Sequence, residues 1–237
     1  MTVAFAVMAK APLVGEVKTR LVPPLTPPDA AALGAAFIQD IAGNILAAAE
    51  AAPIAGYVAF SGPASAFRTL LPPAIGLLPS RRAGLGFSLF DAAEDLLGAG
   101  HEAVCLVNAD SPNLPTSLLI SAAQALRRTG DRLVLGPAED GGYYLIGLKQ
   151  PHRRLFEEID WSTERVFGQT LDRAAELGLE TVTLPEWYDV DDAASLRRLA
   201  DQLFAGGGTP DRYAAPQTTA CLRRILAGDG KAVRGLG

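Results

Sequence analysis

Cysteine, histidine, methionine and tryptophan each occur only twice among the 237 residues, and aromatic residues make up 7% of the chain. Two cysteines, Cys105 and Cys221, cannot build a disulfide framework. Neither belongs to a CxxC pair or a Cys/His cluster with metal-ligand spacing, so both read as reduced structural thiols. His101 and His152 lack partners at ligand or triad spacing and read as surface histidines. Excess positive charge is also missing. Against 26 acidic residues stand 21 lysines and arginines, giving a net charge of −5 and no global field to hold a polyanion, so no nucleic-acid partner is expected. No apolar run approaches the roughly 20 residues of a membrane helix. The apolar opening, Thr2 to Met8, is one strand long, lacks a basic flank and runs into Lys10 and Pro12. No membrane partner and a cytoplasmic location are therefore expected. Finally, no GxGxxG follows the first strand and no GxxxxGK[ST] occurs, which removes the main support for dinucleotide-binding and P-loop readings.

What is present is a core. At 49% hydrophobic and 20% charged residues, with 24 glycines and 17 prolines in no period, the composition excludes disorder and repeats and fits one large α/β domain or at most two small ones. VAFAVM (3–8) reads as a buried strand. A loop with Gly15, five prolines and three cations follows, and Thr26 then stands at an N-cap with Pro27 and Pro28 at the first helical positions. The stripe Leu33, Phe37, Ile41, Ile45 predicts a long helix to about Ala51. Downstream, strands are predicted at 54–60, 103–108, 132–136, 143–148 and around TVTL, with helices near 87–97 and 115–128. Strands spaced by helices imply a mostly parallel, doubly covered sheet, and the short step from 136 to 143 implies one antiparallel insertion. Residues 1–203 form the expected domain, and 204–237 a linker and terminal helix that packs back or mediates contacts such as those of a homodimer.

Five segments could carry chemistry. In the loop after the first strand, Lys10, Lys18 and Arg20 are cations suited to phosphate oxygens, and Gly15 permits close backbone approach. The carboxyl end of a parallel strand is where α/β ligands sit. A solvated basic loop is the alternative. Asp110 of NADSPNLP follows an apolar strand and can hold a hard divalent cation such as Mg²⁺, or it serves as a turn or cap before Pro112. In WYDVDD, Asp191 or Asp192 should cap the next helix, while Asp189 stands back as a second metal carboxylate or as part of an acidic turn. In EDGGYYLIGL and IDWSTERVFGQT, Gly141 and Gly142 either touch a ligand or form a hairpin turn. Ser162 or Thr163 is the expected cap of a following amphipathic helix, with Trp161 a lid or a core aromatic.

In order, MAKAPLVGEVKTRLVPPL, NADSPNLP, EDGGYYLIGL, IDWSTERVFGQT and YDVDDAASLRRL resemble a bacterial family of GT-A-like transferases of the DUF2064 type. This family is described as radical-SAM/selenodomain-associated and is related to 2-phospholactate guanylyltransferases. The resemblance covers about residues 3–200. It implies a GT-A, nucleotide-diphospho-sugar transferase-like three-layer α/β fold with a mostly parallel mixed sheet. It also implies Mg²⁺ or Mn²⁺ on Asp110 and Asp189 and nucleotide contacts from Lys10, Gly15, Lys18, Arg20 and Asp110, with Lys18 and Arg20 catalytic. Asp140, Gly141, Gly142, Trp161, Ser162 and Thr163 would meet the acceptor. The implied activity is transfer of a nucleoside monophosphate from an NTP to a small phosphorylated or hydroxylated acceptor. Glycosyl transfer from a nucleotide sugar and a degenerate, non-catalytic nucleotide-binding protein are the alternatives. Relatives commonly read Gly-Thr-Asp-Cys-Pro-Asp-Leu where this chain has Asn108 to Leu114, and a Gln with Gly-Asp-Leu-Gly where it has SRRAGLGFSL. On this reading Lys18→Ala or Asp110→Ala should abolish turnover with little change in melting temperature.

Overall fold

The structure, a computed structural model, describes residues 2–205 and 212–228. Its sheet has the order β3-β2-β1-β4-β6-β5-β7. The strands are β1 (Val3–Lys10), β2 (Ile54–Ser61), β3 (Gly76–Pro79), β4 (Ala103–Val107), β5 (Arg132–Pro137), β6 (Tyr143–Leu148) and β7 (Glu180–Thr183). β1 pairs in parallel with β2 and β4, β2 with β3, and β5 with β7. β6 alone runs antiparallel, between β4 and β5, which is the insertion expected from the short 136–143 connection. The helices are α1 (Pro27–Ala49), α2 (Ser65–Arg68), α3 (Leu85–Gly98), α4 (Thr116–Arg127), α5 (Val166–Glu176), α6 (Ala193–Phe204) and α7 (Pro216–Gly228).

The alternation in β1 decides what packs on each face. Val3, Phe5 and Val7 point into the core under α1 and α4, whereas Ala4 and Ala6 leave room for α3 to lie close on the other side. β1 runs two residues beyond its apolar stretch because Ala9 and Lys10 still pair with Phe60 and Ser61. α1 begins as its cap chemistry demands, the Thr26 hydroxyl accepting from the Asp29 amide. At 23 residues it is also long and apolar enough to cross a membrane by length and composition, contrary to the expectation of no such run, but 67% of that window is buried inside the fold. A third apolar cluster joins Leu21, Leu33 and Phe37 to Leu196 and Leu199 of α6 and Leu222 and Ile225 of α7.

The terminal helix packs back. The buried Asp40 carboxylate of α1 accepts from the amides of Gln217 (3.0 Å) and Thr218 (2.7 Å), satisfying two of the orphan donors that open α7. Asp40→Ala is expected to lower stability by about 1–3 kcal/mol, because it strands those two amides. A denaturant titration would show it. The glycine-rich part of the expected linker, 206–211, lies outside the described residues.

Local expectations fail where tertiary contacts intervene. β3 is a four-residue edge strand inside a proline-rich stretch and carries no periodic signal. α5 opens at Val166 with Arg165 at its cap position, not Ser162 or Thr163. The Thr163 hydroxyl instead donates to the Asp160 carbonyl (2.7 Å) and tightens the preceding turn. Both histidines are half-buried and have partners rather than lying free on the surface. His101 Nε2 is 2.8 Å from the Tyr57 hydroxyl, and His152 Nε2 is 2.6 Å from Asp131 Oδ2.

Candidate active site

β1 and β4 end side by side, so the loops that leave them share the carboxyl edge of the sheet. Between them lies a cleft of about 370 Å³ whose walls include Lys10, Lys18, Arg20, Asp110 and Asp191. The first loop turns sharply at Lys18, which adopts a left-handed backbone (φ 49°, ψ 35°) that a non-glycine residue rarely takes. Its side chain is anchored at the far end. The ammonium pairs with Asp110, lies 3.2 Å from Asp191 Oδ1 and donates to the Val190 carbonyl at 2.7 Å. The Lys18 side chain is only 8% exposed, against 37% for Asp110, so the lysine is a buried strut and the aspartate opens to the cleft. Burial works against the ammonium, but Asp110 and Asp191 together hold its pKa above the ordinary lysine value.

Asp189 approaches the same place from the other side. The Val190 amide donates to the Asp110 carbonyl at 2.9 Å, which lays the 189–191 segment along the turn after β4. Asp189 Oδ1 accepts from Asn108 Nδ2 (2.6 Å) and lies 2.7 Å from the Ser111 hydroxyl, while Asn108 Oδ1 accepts from the Asp110 amide (3.3 Å). Burial foremost, with the charges of Asp110 and Asp140, raises the Asp189 pKa to about 7 against the two hydrogen bonds. The three carboxylates of residues 110, 140 and 189 thus form one electrostatic group.

The structure therefore brings Lys18, Asp110 and Asp189 together, with Lys10 and Arg20 at the rim of the same cleft. Lys10 and Arg20 have no ionic partner among the described residues and present uncompensated charge. Lys18 does not: its three protons face three acceptors, so a phosphate contact requires it to exchange one of them. That anchoring argues against the expectation that its loss would change the melting temperature little. Gly15 has the positive φ (82°) expected of a turn glycine, with nothing within 4 Å of where a side chain would begin.

Gly141 has a structural role. With φ at 87°, a Cβ there would lie 2.3–2.7 Å from the Glu164 backbone, so glycine lets the 139–142 turn close against the Trp161–Glu164 turn. Gly141→Ala should cost about 2 kcal/mol or more through strain and overpacking, read as a fall in melting temperature. Gly142 donates its amide to Asp140 Oδ1 at 2.8 Å, fixing that carboxylate. Trp161 packs edge-on to Tyr143 at 6.5 Å, and Ser162 is left-handed at φ 66°.

Asp192 is the helix cap, in a reciprocal box with Ser195, which leaves Asp191 for Lys18. That second partner, and the roles of Asn108 and Ser111, were not picked out from the sequence. The only signal was their adjacency to Asp110. Asn113, where relatives commonly carry an acid, is buried and bonds to the Tyr188 hydroxyl and Gln202 Oε1, both at 2.9 Å. The departure sits in the packing behind the site. Arg81 and Arg82 of the other departing segment are tied to α3, Arg81 to Glu94 at 2.7 Å and Arg82 to Asp91.

The sequence model of the bacterial family DUF2064, "Uncharacterized protein conserved in bacteria", matches residues 44–163, half of the chain. The chain belongs to the DUF2064 family. Among solved structures, this DUF2064 chain is similar to one from Desulfovibrio desulfuricans G20 described as a "putative nucleotide-diphospho-sugar transferase". Identity is 26%, the coverage is 99% of this chain and 97% of that one, and the TM-score is 0.82. A cytidylyltransferase from Leptospira borgpetersenii serovar Hardjo-bovis matches at 10% identity over 96% of this chain and 97% of that one, with a TM-score of 0.53. CMP:2-keto-3-deoxy-manno-octonic acid synthetase, solved with CTP, matches at 12% identity over 84% and 97%, with a TM-score of 0.52. At such identities the last two speak to fold alone. No curated protein sequence matches the chain. The DUF2064 chain thus has the α/β fold of nucleotide-diphospho-sugar transferases and cytidylyltransferases.

Proposed function

We propose that this protein transfers a nucleoside monophosphate from an NTP to a small phosphorylated or hydroxylated acceptor, using a divalent metal. One observation carries the reading. A cleft at the carboxyl edge of the central strands is lined by Lys10 and Arg20, which have no ionic partner among the described residues, and by Lys18 paired with Asp110, with Asp189 on the adjoining turn. Cations at the rim meet the triphosphate, and carboxylates at its base meet what neutralises it.

The residues fit a hard cation. Asp110 and Asp189 offer hard carboxylate oxygens from adjoining turns, the Val190 amide donating to the Asp110 carbonyl at 2.9 Å, which is the donor chemistry Mg²⁺ or Mn²⁺ takes. Among the described residues no group of three or more Asp, Glu, His or Cys is placed to hold an ion, so an ion here would take the two carboxylates and complete its shell with phosphate and water. Held by Asp110 and Asp189, such an ion would neutralise the phosphates and polarise the α-phosphoryl group. The chain's own residues do the rest. Lys10 and Arg20 hold the β- and γ-phosphates, and Lys18 exchanges a carboxylate for an α-phosphoryl oxygen as charge grows there. The acceptor oxygen, an ionised phosphate oxygen or a hydroxyl that gives its proton to solvent, forms a bond to the α-phosphorus while the bond to the bridging oxygen breaks, and pyrophosphate leaves. Asp140, fixed by Gly142, stands on the acceptor's side.

Glycosyl transfer from a nucleotide sugar is the second reading, favoured by the description of the Desulfovibrio relative. Calorimetric titration with ATP, GTP, CTP and UTP, with and without Mg²⁺, followed by product analysis, tests both. Metal-dependent binding and released pyrophosphate are expected. A released nucleoside diphosphate would move the reading to glycosyl transfer, and binding without product would leave a nucleotide-binding protein.

A further inference from the structure

A second cavity of about 370 Å³ lies on the α3 side of the same sheet edge, and its chemistry is opposite to that of the first. We propose that it binds an uncharged apolar moiety, aromatic or alkyl, of the acceptor. The inference rests on the transferase reading and deepens it by naming the acceptor class.

Leu85 and Phe87, 49% and 52% exposed, are among the few large hydrophobic side chains left in solvent, and both line this cavity. Between them Gly86 is buried. A Cβ there would lie 2.7–2.9 Å from the Trp161 indole, so glycine lets the ring rest against the helix as a fixed wall. Phe90 and Phe156, edge-to-face at 6.1 Å, also line it.

The charges at its rim are all committed. Arg82 pairs with the buried carboxylate of Asp91 and lies 4.7 Å from the Phe87 ring. Arg153 meets Glu157 at 3.0 Å, and Glu158 meets Arg154 at 2.8 Å and Arg173 at 3.3 Å. Among the described residues no free cation lines it to recognise a phosphate, in contrast to Lys10 and Arg20 in the first cleft. The volume suits a small molecule and is too small for a protein partner.

Its place relative to the reaction follows from the 139–142 turn. Trp161 packs on Tyr143, Gly141 closes on Glu164, and the Glu139 amide donates at 3.0 Å to the carbonyl of Trp187, two residues before Asp189. An acceptor whose apolar end enters this cavity therefore directs its other end along that turn toward the carboxylates.

The test uses 4-phenylbutanol as apolar probe and glucose 1-phosphate as polar probe, followed by saturation-transfer NMR on the full chain. 4-Phenylbutanol should bind saturably, and Leu85→Ser/Phe87→Ser should weaken it at least ten-fold with NTP binding changed less than two-fold. Both residues are exposed, so the double variant should fold, and an unchanged melting temperature checks this. Trp161→Ala should weaken the same probe. No saturable 4-phenylbutanol binding, or binding indifferent to these variants, overturns the inference, as does glucose 1-phosphate binding lost with the double variant. If 4-phenylbutanol binds as expected but no NTP does, the transferase reading fails and the apolar site stands.

Discussion

Lys18→Ala should reduce NTP turnover about a thousand-fold and also lower stability by about 1–3 kcal/mol. The two effects share a cause. The ammonium is buried against Asp110, Asp191 and the Val190 carbonyl, so its removal leaves two carboxylates facing each other without a cation. Because both acids are more than a third exposed, water screens part of the penalty and the protein should still fold. Lys18→Met keeps an apolar stem in the buried slot and loses only the ammonium, which lies 5.1 Å from the Phe37 ring, so it should recover some stability but no turnover. Turnover near wild type in either variant would remove Lys18 from the proposed chemistry. Unchanged melting with lost turnover would contradict its role as a strut.

Asp189→Asn is the second large effect, and it should separate stability from function. Asp189 ionises near pH 7 in the folded protein against an ordinary value of 3.8. Between those values the unfolded chain has released a proton that the native state keeps. Stability associated with this group is therefore full below pH 4, falls as pH rises to about 7, and stays reduced above that. At about 1.4 kcal/mol per pKa unit the full cost is about 4 kcal/mol, and the amide should recover about 1–3 kcal/mol of it at pH 8 in chelator. At pH 4 wild type and variant should melt alike. With Mg²⁺ and NTP at pH 8 the wild type should gain stability by ligand binding and Asp189→Asn should not, while turnover falls by two orders of magnitude or more. Thermal melts across pH, with and without Mg²⁺, measure all of this. A variant less stable than wild type in chelator at pH 8 would mean that Asp189 is not held at that pKa.

Some of these relationships were open to a reader of the sequence. The Thr26-Pro27-Pro28 start of α1, the apolar runs of β1, β4 and β6, and the short 136–143 connection depend on spacing and cap chemistry within a few residues. Such signals survive any tertiary arrangement. The same holds for Asp192 as a cap, since its partner Ser195 is three residues away. The motifs also placed Lys18, Asp110 and Asp189 on loops that a parallel sheet brings to one edge. What the motifs left open was the division of labour. Lys18 and Asp191 stand 173 positions apart, and nothing near either shows that one aspartate of a DVDD turn caps a helix while its neighbour holds a lysine. Gly141 does lie in the β5–β6 hairpin turn, its amide donating to the Ala138 carbonyl, but the Glu164 backbone that also demands glycine there comes from a separate part of the chain.

By itself the sequence determined the layered α/β class, the parallel core with its one reversed strand, and which loops carry cations and carboxylates, because helix and strand periods and caps are local properties. Only the tertiary structure decided that Lys18 is spent on Asp110 and Asp191 while Lys10 and Arg20 have no ionic partner among the described residues, that burial pushes Asp189 up to about 7, and that an apolar cavity opens beside Trp161. Pairing, burial and empty volume belong to surfaces brought together from distant parts of the chain, and a one-dimensional pattern does not contain them.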